Sequence, residues 1–189
     1  MSNEQDAVHT NKSSEYSETR VFGGPLGQVL PAIETHNIGR LVSIINKDTM
    51  IDTPSMLEDH QHLKLAMNDI SEPRDGLVLP SERHVQRLID FVDDWDLEHS
   101  MLVHCWAGVS RSTAGVFISL CRLNDGVPET EIAEALREAS PTATPNAKLV
   151  GLADDIMGRG GRMSDAVQKI GQGEMAFEGA VFSMPVRFK

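Results

Sequence analysis

Residues 104–112 of the 189-residue chain read His-Cys-Trp-Ala-Gly-Val-Ser-Arg-Ser, a combination and spacing suited to phosphate chemistry. This stretch lies between a predicted strand and a predicted helix, where backbone N–H groups and the helix dipole attract an anion. Gly108 permits a turn that a side chain would obstruct, and Arg111 offers a planar guanidinium for two phosphate oxygens. The same positive field favours the thiolate of Cys105, which would be a nucleophile toward a bound phosphate.

The specificity of this pattern comes from its combination of residues. A cysteine followed six residues later by an arginine is a weak signal on its own. His104, Gly108 and Ser112 strengthen it, as does the strand-loop-helix context. Together they predict a phosphate-binding loop with a cysteine nucleophile.

The elements around this loop follow from hydrophobic periodicity. Short apolar runs predict strands at 40–45, 63–67 and 101–105; helices are predicted from Ser81, over 113–123, from Pro128 and from Pro145. Strands alternate with helices and three helices then follow in succession. This order predicts an α/β fold with a mostly parallel central sheet and helices on both faces. In such a sheet, ligands bind at the carboxyl ends of the strands, where the cysteine loop is placed.

Composition also divides the chain into segments. Residues 1–19 are polar and are predicted to be a disordered tail. Residues 20–158 are predicted to form one catalytic domain, and 159–189 a C-terminal extension. In this extension, the apolar spacing over 163–170 is compatible with one short helix, and the remainder is expected to lie along the surface.

Charge and cysteine content exclude several classes of function. Seventeen Lys and Arg against 28 Asp and Glu give a net charge of −11, which disfavours a general binder of nucleic acid or of anionic membranes. Two cysteines cannot build a disulfide framework and suit a reducing compartment. The longest mostly apolar stretch, 113–123, is too short to span a bilayer. We expect a soluble, cytoplasmic, monomeric protein.

The motifs resemble those of a known family. Residues 104–112 resemble the signature loop of the cysteine-dependent protein tyrosine phosphatases and of their compact dual-specificity branch. Upstream, Ala66-Met-Asn-Asp69 is similar to the segment that carries the general acid there, and Pro145-Asn146 is similar to a pair that follows the signature helix. The Trp106-Ala107-Gly108 form most resembles a group of bacterial tyrosine-phosphatase-like proteins. The resemblance covers about residues 20–158.

The resemblance implies a mechanism and a role for each matching residue. Cys105 would attack phosphorus, Asp69 would act as general acid and then as base, and Ser112 would hydrogen-bond the departing thiolate. His104 would orient the loop and help to favour the thiolate. The phosphate would be held by Arg111 and by the loop residues Trp106, Ala107, Gly108, Val109 and Ser110. No metal or cofactor is expected, because the loop amides and Arg111 supply the positive charge.

Several alternatives stay open at this point. Asp75 lies in the same loop as Asp69 and is the rival general acid. His60 and His62 with Asp59 could suggest a metal, although a solvated loop or a strand edge is the better interpretation. The substrate could be a phosphorylated protein, or a non-protein phosphomonoester such as a phosphoinositide, a nucleotide or an RNA end. A phosphate-binding pseudophosphatase and a rhodanese-like sulfurtransferase are the remaining hypotheses.

Overall fold

The computed structural model describes residues 19–188, which form one five-stranded sheet and six α-helices. The strands are β1 (Arg20–Pro25), β2 (Ile38–Ile45), β3 (His62–Ala66), β4 (Ser100–Cys105) and β5 (Phe182–Pro185). The helices are α1 (Val29–Thr35), α2 (Glu82–Asp93), α3 (Arg111–Leu123), α4 (Glu129–Ala139), α5 (Ala147–Ile156) and α6 (Arg162–Ile170). None of the helices in the described range is long and apolar enough to cross a membrane.

The sheet has the strand order β3-β2-β4-β1-β5. Its first four strands are parallel, and β5 runs antiparallel to β1 at one edge. The predicted mostly parallel sheet is therefore confirmed. Pro25 lies opposite Cys105 in the register of β1 and β4, so both strands end at the same level. The segments that follow these strands meet at one edge of the sheet, as expected for a ligand site.

Helices cover both faces of the sheet, as predicted. The apolar side chains of α1 pack with Leu41 and Leu102 on one face. Val42 and Val103, the next residues in the same strands, point to the other face and join the core formed with α2 to α6. Gly115 lets α3 approach the sheet closely, because a Cβ there would lie 2.7 Å from Val103 Cγ1 and from Ile44 Cδ1. This close approach fixes the helix that follows the cysteine loop.

The start of the described chain differs from the prediction. The pattern from Val21 to Thr35 was too short and too broken to predict either β1 or α1. Gly23-Gly24-Pro25 has the composition of a turn, yet it forms the end of β1. A Cβ at Gly23 would lie 2.3 Å from the Phe182 ring, so the glycine makes room for a side chain 159 positions away. Contacts at that separation leave no trace in a local pattern.

The C-terminal residues contribute to the core, which corrects the expectation that they lie along the surface. The short helix suggested over 163–170 is present as α6, with Met163 and Ala166 fully buried. Phe182 and Met184 are buried in β5, which extends the sheet. The division at residue 158 stays a prediction, but the chain beyond it belongs to the same hydrophobic core.

Smaller differences concern the element boundaries. Pro128 and Asn146 are the N-cap residues of α4 and α5, so these helices begin one and two residues after the prolines that predicted them. Helix α3 begins at Arg111, two residues earlier than its apolar run. The predicted N-terminal tail lies outside the described residues except for Thr19, which is buried and donates a hydrogen bond to the Leu97 carbonyl at 2.8 Å.

Candidate active site

The loop after β4 wraps around the sulfur of Cys105; we call residues 105–111 the signature loop. Cys105 is the last residue of β4 and is buried. Gly108 adopts φ +73°, and a Cβ there would lie 2.6 Å from the Pro25 nitrogen. Both the conformation and the contact require glycine at this turn.

Two hydrogen-bonding groups lie beside the sulfur. The backbone N–H of Gly108 donates to Cys105 Sγ at 3.2 Å, and Ser112 Oγ lies 3.3 Å from the same atom. Ser112 is in the first turn of α3 and is fully buried. A hydroxyl in this place can donate to a thiolate, which is the contact that the resemblance implies for Ser112.

The carbonyl groups of the loop are held by its neighbours. Trp106 O accepts from Leu26 N at 3.1 Å, Ala107 O from Gly179 N at 2.8 Å and Val109 O from Thr144 N at 2.9 Å. In a planar trans peptide the N–H points opposite to the C=O. The N–H groups that follow these carbonyls therefore point away from the neighbours that hold the loop, and the N–H of Gly108 reaches the sulfur. Such a ring of N–H groups is an anion-binding nest.

Arg111 places a cation at this nest. Its side chain is buried, and Nη1 donates to the Met67 carbonyl at 2.8 Å. Its buried Nε has no hydrogen-bond partner within residues 19–188. A buried donor without a partner is costly, and a phosphate oxygen would satisfy it.

Asp69 lies against the signature loop from the side of β3. Its Oδ1 accepts hydrogen bonds from Ser110 Oγ and Asn146 Nδ2, both at 2.8 Å, and its Oδ2 is 3.8 Å from Arg111 Nε. Asn146 is fixed in turn, since its Oδ1 caps α5 by accepting from Leu149 N. Asp75 is exposed, and its carboxylate makes no hydrogen bond or ion pair with any other described residue. The structure thus brings Asp69, and not its rival, to the loop.

An open cleft of about 510 Å³ begins at Asp69. It is lined by residues 69–74, by Ser110 and by residues 144–147. The cleft therefore connects the signature loop with the loop that carries Asp69.

A chain of hydrogen bonds runs from the Cys105 carbonyl through His104, Ser43 and His62 to Thr53. His104 Nε2 lies 2.6 Å from Ser43 Oγ, which lies 2.7 Å from His62 Nε2; His62 Nδ1 is 3.3 Å from Thr53 Oγ1. At the other end, His104 Nδ1 is 3.3 Å from the Cys105 carbonyl. Burial lowers the pKa of both His62 and His104 to about 4, so both rings are neutral near pH 7.

The proton positions in this chain follow from what each atom can do. A carbonyl only accepts, so His104 carries its proton on Nδ1 and accepts at Nε2 from the Ser43 hydroxyl. Ser43 then accepts from His62 Nε2–H, and His62 Nδ1 accepts from Thr53. Every donor has one acceptor. We therefore assign His104 to positioning through hydrogen bonds, since a neutral ring does not favour the thiolate by charge.

The other residues singled out in the sequence are Trp106 and the two histidines His60 and His62. Trp106 is partly exposed, and its ring meets that of Phe177 edge-on with centroids 5.6 Å apart. Within residues 19–188 no three His, Cys, Asp or Glu side chains are grouped to hold a metal. His60 is exposed and lies 3.3 Å from Glu58, whereas His62 belongs to the buried chain.

Sequence reasoning missed two residues that contact this site, Ser43 and Gly179, and it interpreted His62 only as part of a solvated loop or strand edge. Ser43 is a polar residue in a strand that reads as apolar, and this was the available signal. His62 is the buried first residue of β3, one position before the predicted strand at 63–67. Gly179 binds the signature loop from the C-terminal segment, for which no signal was present.

Comparisons with known proteins agree with this geometry. No family model matches the chain. Over 135 residues it is 31% identical to dual specificity protein phosphatase 15 of Rattus norvegicus, covering 68% of this chain and 52% of that protein. The chain thus spans about half the length of this curated relative.

Solved structures share the fold. A human tyrosine phosphatase-like serine/threonine/tyrosine-interacting protein superposes with a TM-score of 0.58 and 21% identity, over 74% of this chain and 91% of that chain. PTPMT1 in complex with PI(5)P superposes with a TM-score of 0.56 and 14% identity, over 82% and 96%. Together with the signature loop and the sequence relative, this likeness gives the family: the chain belongs to the cysteine-dependent protein tyrosine phosphatase superfamily, in its dual-specificity-like branch.

Proposed function

We propose that this chain is a metal-independent phosphomonoester hydrolase that works through a cysteinyl-phosphate on Cys105, with phosphorylated proteins as its substrates. The observation that carries the proposal is the arrangement at one sulfur. Gly108 N–H and Ser112 Oγ lie within 3.3 Å of Cys105 Sγ, and the buried Nε of Arg111 in the same loop has no hydrogen-bond partner within residues 19–188.

In the first step, the Cys105 thiolate attacks phosphorus in line, the S–P bond forms and the P–O bond to the leaving group breaks. The loop N–H groups and Arg111 stabilise the equatorial oxygens. Asp69 gives its proton to the leaving oxygen. Because Oδ1 already accepts two hydrogen bonds, Oδ2 is the atom that carries this proton.

In the second step, water attacks the phosphorus of the cysteinyl-phosphate, and the Asp69 carboxylate takes a proton from that water. The P–S bond breaks and inorganic phosphate forms. The sulfur leaves as a thiolate, which the Ser112 hydroxyl stabilises from 3.3 Å. The enzyme returns to its starting state with no other reactant consumed.

Charge around the loop supports a protein substrate over a highly phosphorylated small molecule. Arg111 is the only charged residue between Cys105 and Ser112. Inositol phosphates and nucleotides call for further cations, and the chain as a whole carries a net charge of −11. We further propose that the protein acts as a monomer in the cytoplasm, where its two unpaired thiols would stay reduced.

Hydrolysis of p-nitrophenyl phosphate in the presence of EDTA tests the proposed activity. We expect turnover by the wild type and none by Cys105→Ser. Equal turnover by both proteins would contradict the proposal, as would a folded wild type that hydrolyses neither this compound nor phosphopeptides. Loss of turnover with EDTA, restored by added metal, would contradict the metal-independent mechanism.

A further inference from the structure

Exposed apolar side chains concentrate beside the signature loop. Seven large apolar side chains are exposed within residues 19–188; one of them lies in this loop, and four lie on two segments that hydrogen-bond to Asn68, the neighbour of Asp69, or to the loop itself. These five are Leu77, Val78, Trp106, Met175 and Phe177. Exposed apolar groups gathered around one site indicate a surface that another molecule covers.

Two segments carry the other four side chains, and one of them hydrogen-bonds to Asn68 while the other hydrogen-bonds to the signature loop. Val78 exchanges hydrogen bonds with Asn68, the neighbour of Asp69, at 2.8 and 2.9 Å. On the other side, residues 171–181 form a strap whose Gly179 N–H binds the Ala107 carbonyl. We call residues 70–78 and the strap together the rim. The rim thus consists of one segment held at Asn68 and one segment held on the signature loop.

The strap is anchored independently of any ligand. Gly173 N donates to Thr144 Oγ1 at 3.1 Å, and Glu174 N donates to the Pro141 carbonyl at 2.9 Å. A Cβ at Gly173 would lie 2.5 Å from the carbonyl carbon of Thr142. Between these anchors and Gly179, the side chains of Met175 and Phe177 stay exposed. Their exposure therefore belongs to a fixed surface.

The charge of the rim identifies the kind of partner. The rim carries four carboxylates, Glu72, Asp75, Glu174 and Glu178, against one guanidinium, Arg74. An acidic surface repels anionic lipid headgroups and attracts basic side chains.

We infer that the rim binds the polypeptide on either side of the phosphorylated residue, and that it selects segments with large apolar and basic side chains. This inference rests on the proposed function, because the phosphorylated residue is taken to enter the signature loop. The inference adds to that function the class of polypeptide that is bound. Apolar residues of the partner would pack on Phe177 and Trp106 or on Leu77, while lysines and arginines would face the carboxylates.

Binding to the Cys105→Ser variant tests the inference without depending on turnover. The probes are two phosphotyrosyl peptides of equal length, one flanked by leucine and lysine and the other by serine and glutamate. We expect the first to bind about tenfold more tightly at low salt, with the difference shrinking at high ionic strength. Equal Kd values for the two peptides would overturn the inference.

Variants of the rim assign the effect to this surface. Glu174→Gln/Glu178→Gln should remove much of the preference for the basic peptide. The matched control Glu98→Gln/Glu131→Gln makes the same change of charge at exposed positions away from the loop and should retain it. Phe177→Ser should weaken binding of the leucine-flanked peptide while p-nitrophenyl phosphate turnover by the otherwise wild-type chain stays unchanged.

The outcomes separate this inference from the proposed function. Failure to hydrolyse p-nitrophenyl phosphate would remove the activity but leave the ranking of peptide Kd values interpretable. Normal turnover with equal Kd values would contradict only the role of the rim in binding the flanking polypeptide. Tighter binding to phosphatidylcholine vesicles that contain a phosphatidylinositol monophosphate than to either peptide would assign the rim to a membrane and overturn the inference.

Discussion

Cys105 and Cys121 are buried to the same degree, each about 1% exposed, yet their surroundings differ in kind. Cys121 lies on α3 within the apolar core, and its sulfur has no hydrogen-bond partner in the described chain. Burial, with a smaller contribution from Glu129, raises the pKa of the Cys121 thiol well above its ordinary value. Cys105 Sγ instead meets Gly108 N–H and the Ser112 hydroxyl.

Because burial is the same for both thiols, what distinguishes them is the set of groups placed around each sulfur. At Cys105 the loop supplies N–H donors, and Arg111 adds a cation. At Cys121 the nearest charges include the carboxylate of Glu129, which disfavours a thiolate. One helix, α3, begins at the first environment and contains the second.

The largest expected effect comes from replacing each thiol in turn. Cys105→Ala should lower kcat for p-nitrophenyl phosphate by about a thousandfold or more, because the nucleophile is lost. Cys121→Ala should keep kcat within about twofold and cost about 1 kcal/mol of unfolding free energy through a small cavity. Steady-state kinetics and urea unfolding measure both. A large loss of kcat in Cys121→Ala would break the comparison.

The next effect concerns Asp69, the proposed general acid, which lies at the loop of Cys105 and not near Cys121 in the described contacts. Asp69→Asn should lower kcat by about a hundredfold or more for a poor leaving group, since its proton is no longer available. The basic limb of the pH–rate profile should also disappear. The matched variant Asp75→Asn should change neither, because that carboxylate does not touch the loop. The reverse result would assign the acid to Asp75.

The α/β order, the signature loop and the strands at 40–45, 63–67 and 101–105 could be predicted because they rest on local patterns. Cys105 and Arg111 are six residues apart, so their spacing is visible in the chain. The contact between Asp69 and Asn146 spans 77 positions, and it was not predicted, although the resemblance matched each of the two segments separately. The pairing of β5 with β1, the Gly179 contact and the Ser43–His62 bond depend on tertiary packing, and no local pattern encodes them.

A smaller effect is expected from breaking the chain of hydrogen bonds that joins His104, Ser43 and His62. Ser43→Ala removes the partner of both His62 Nε2 and His104 Nε2, at a cost of about 1–3 kcal/mol for each unpaired group. The matched control is Ser119→Ala in α3, where the hydroxyl bonds to the Gly115 carbonyl at 2.8 Å. That carbonyl keeps its helical partner, so the cost should be about 1 kcal/mol or less. Urea unfolding compares the two variants. Equal losses of unfolding free energy would contradict the hydrogen bonds of Ser43 with His62 and His104.

The smallest effect is a change in the pH dependence of stability. His62 and His104 have pKa values of about 4 in the folded protein and an ordinary value of 6.5 when unfolded. Between pH 6.5 and 4 the unfolded chain therefore binds protons that the folded protein does not, and stability falls as the pH falls. His62→Gln removes one such proton-binding group. It should reduce the slope of the unfolding free energy against pH by at most about 1.4 kcal/mol per pH unit. Unfolding free energies at pH 6.5, 5.5 and 4.5 would show this difference, and an unchanged slope would contradict a buried neutral His62.

Chemical trapping of the intermediate tests the central claim most directly. Ser112→Ala should slow the breakdown of the cysteinyl-phosphate, because the departing sulfur loses its hydrogen bond. Rapid quenching of this variant during turnover, followed by peptide mapping, should locate one phosphoryl group on Cys105 and none on Cys121. Phosphate found on Cys121 or on a residue other than cysteine, or turnover without any covalent phosphoprotein, would contradict the account.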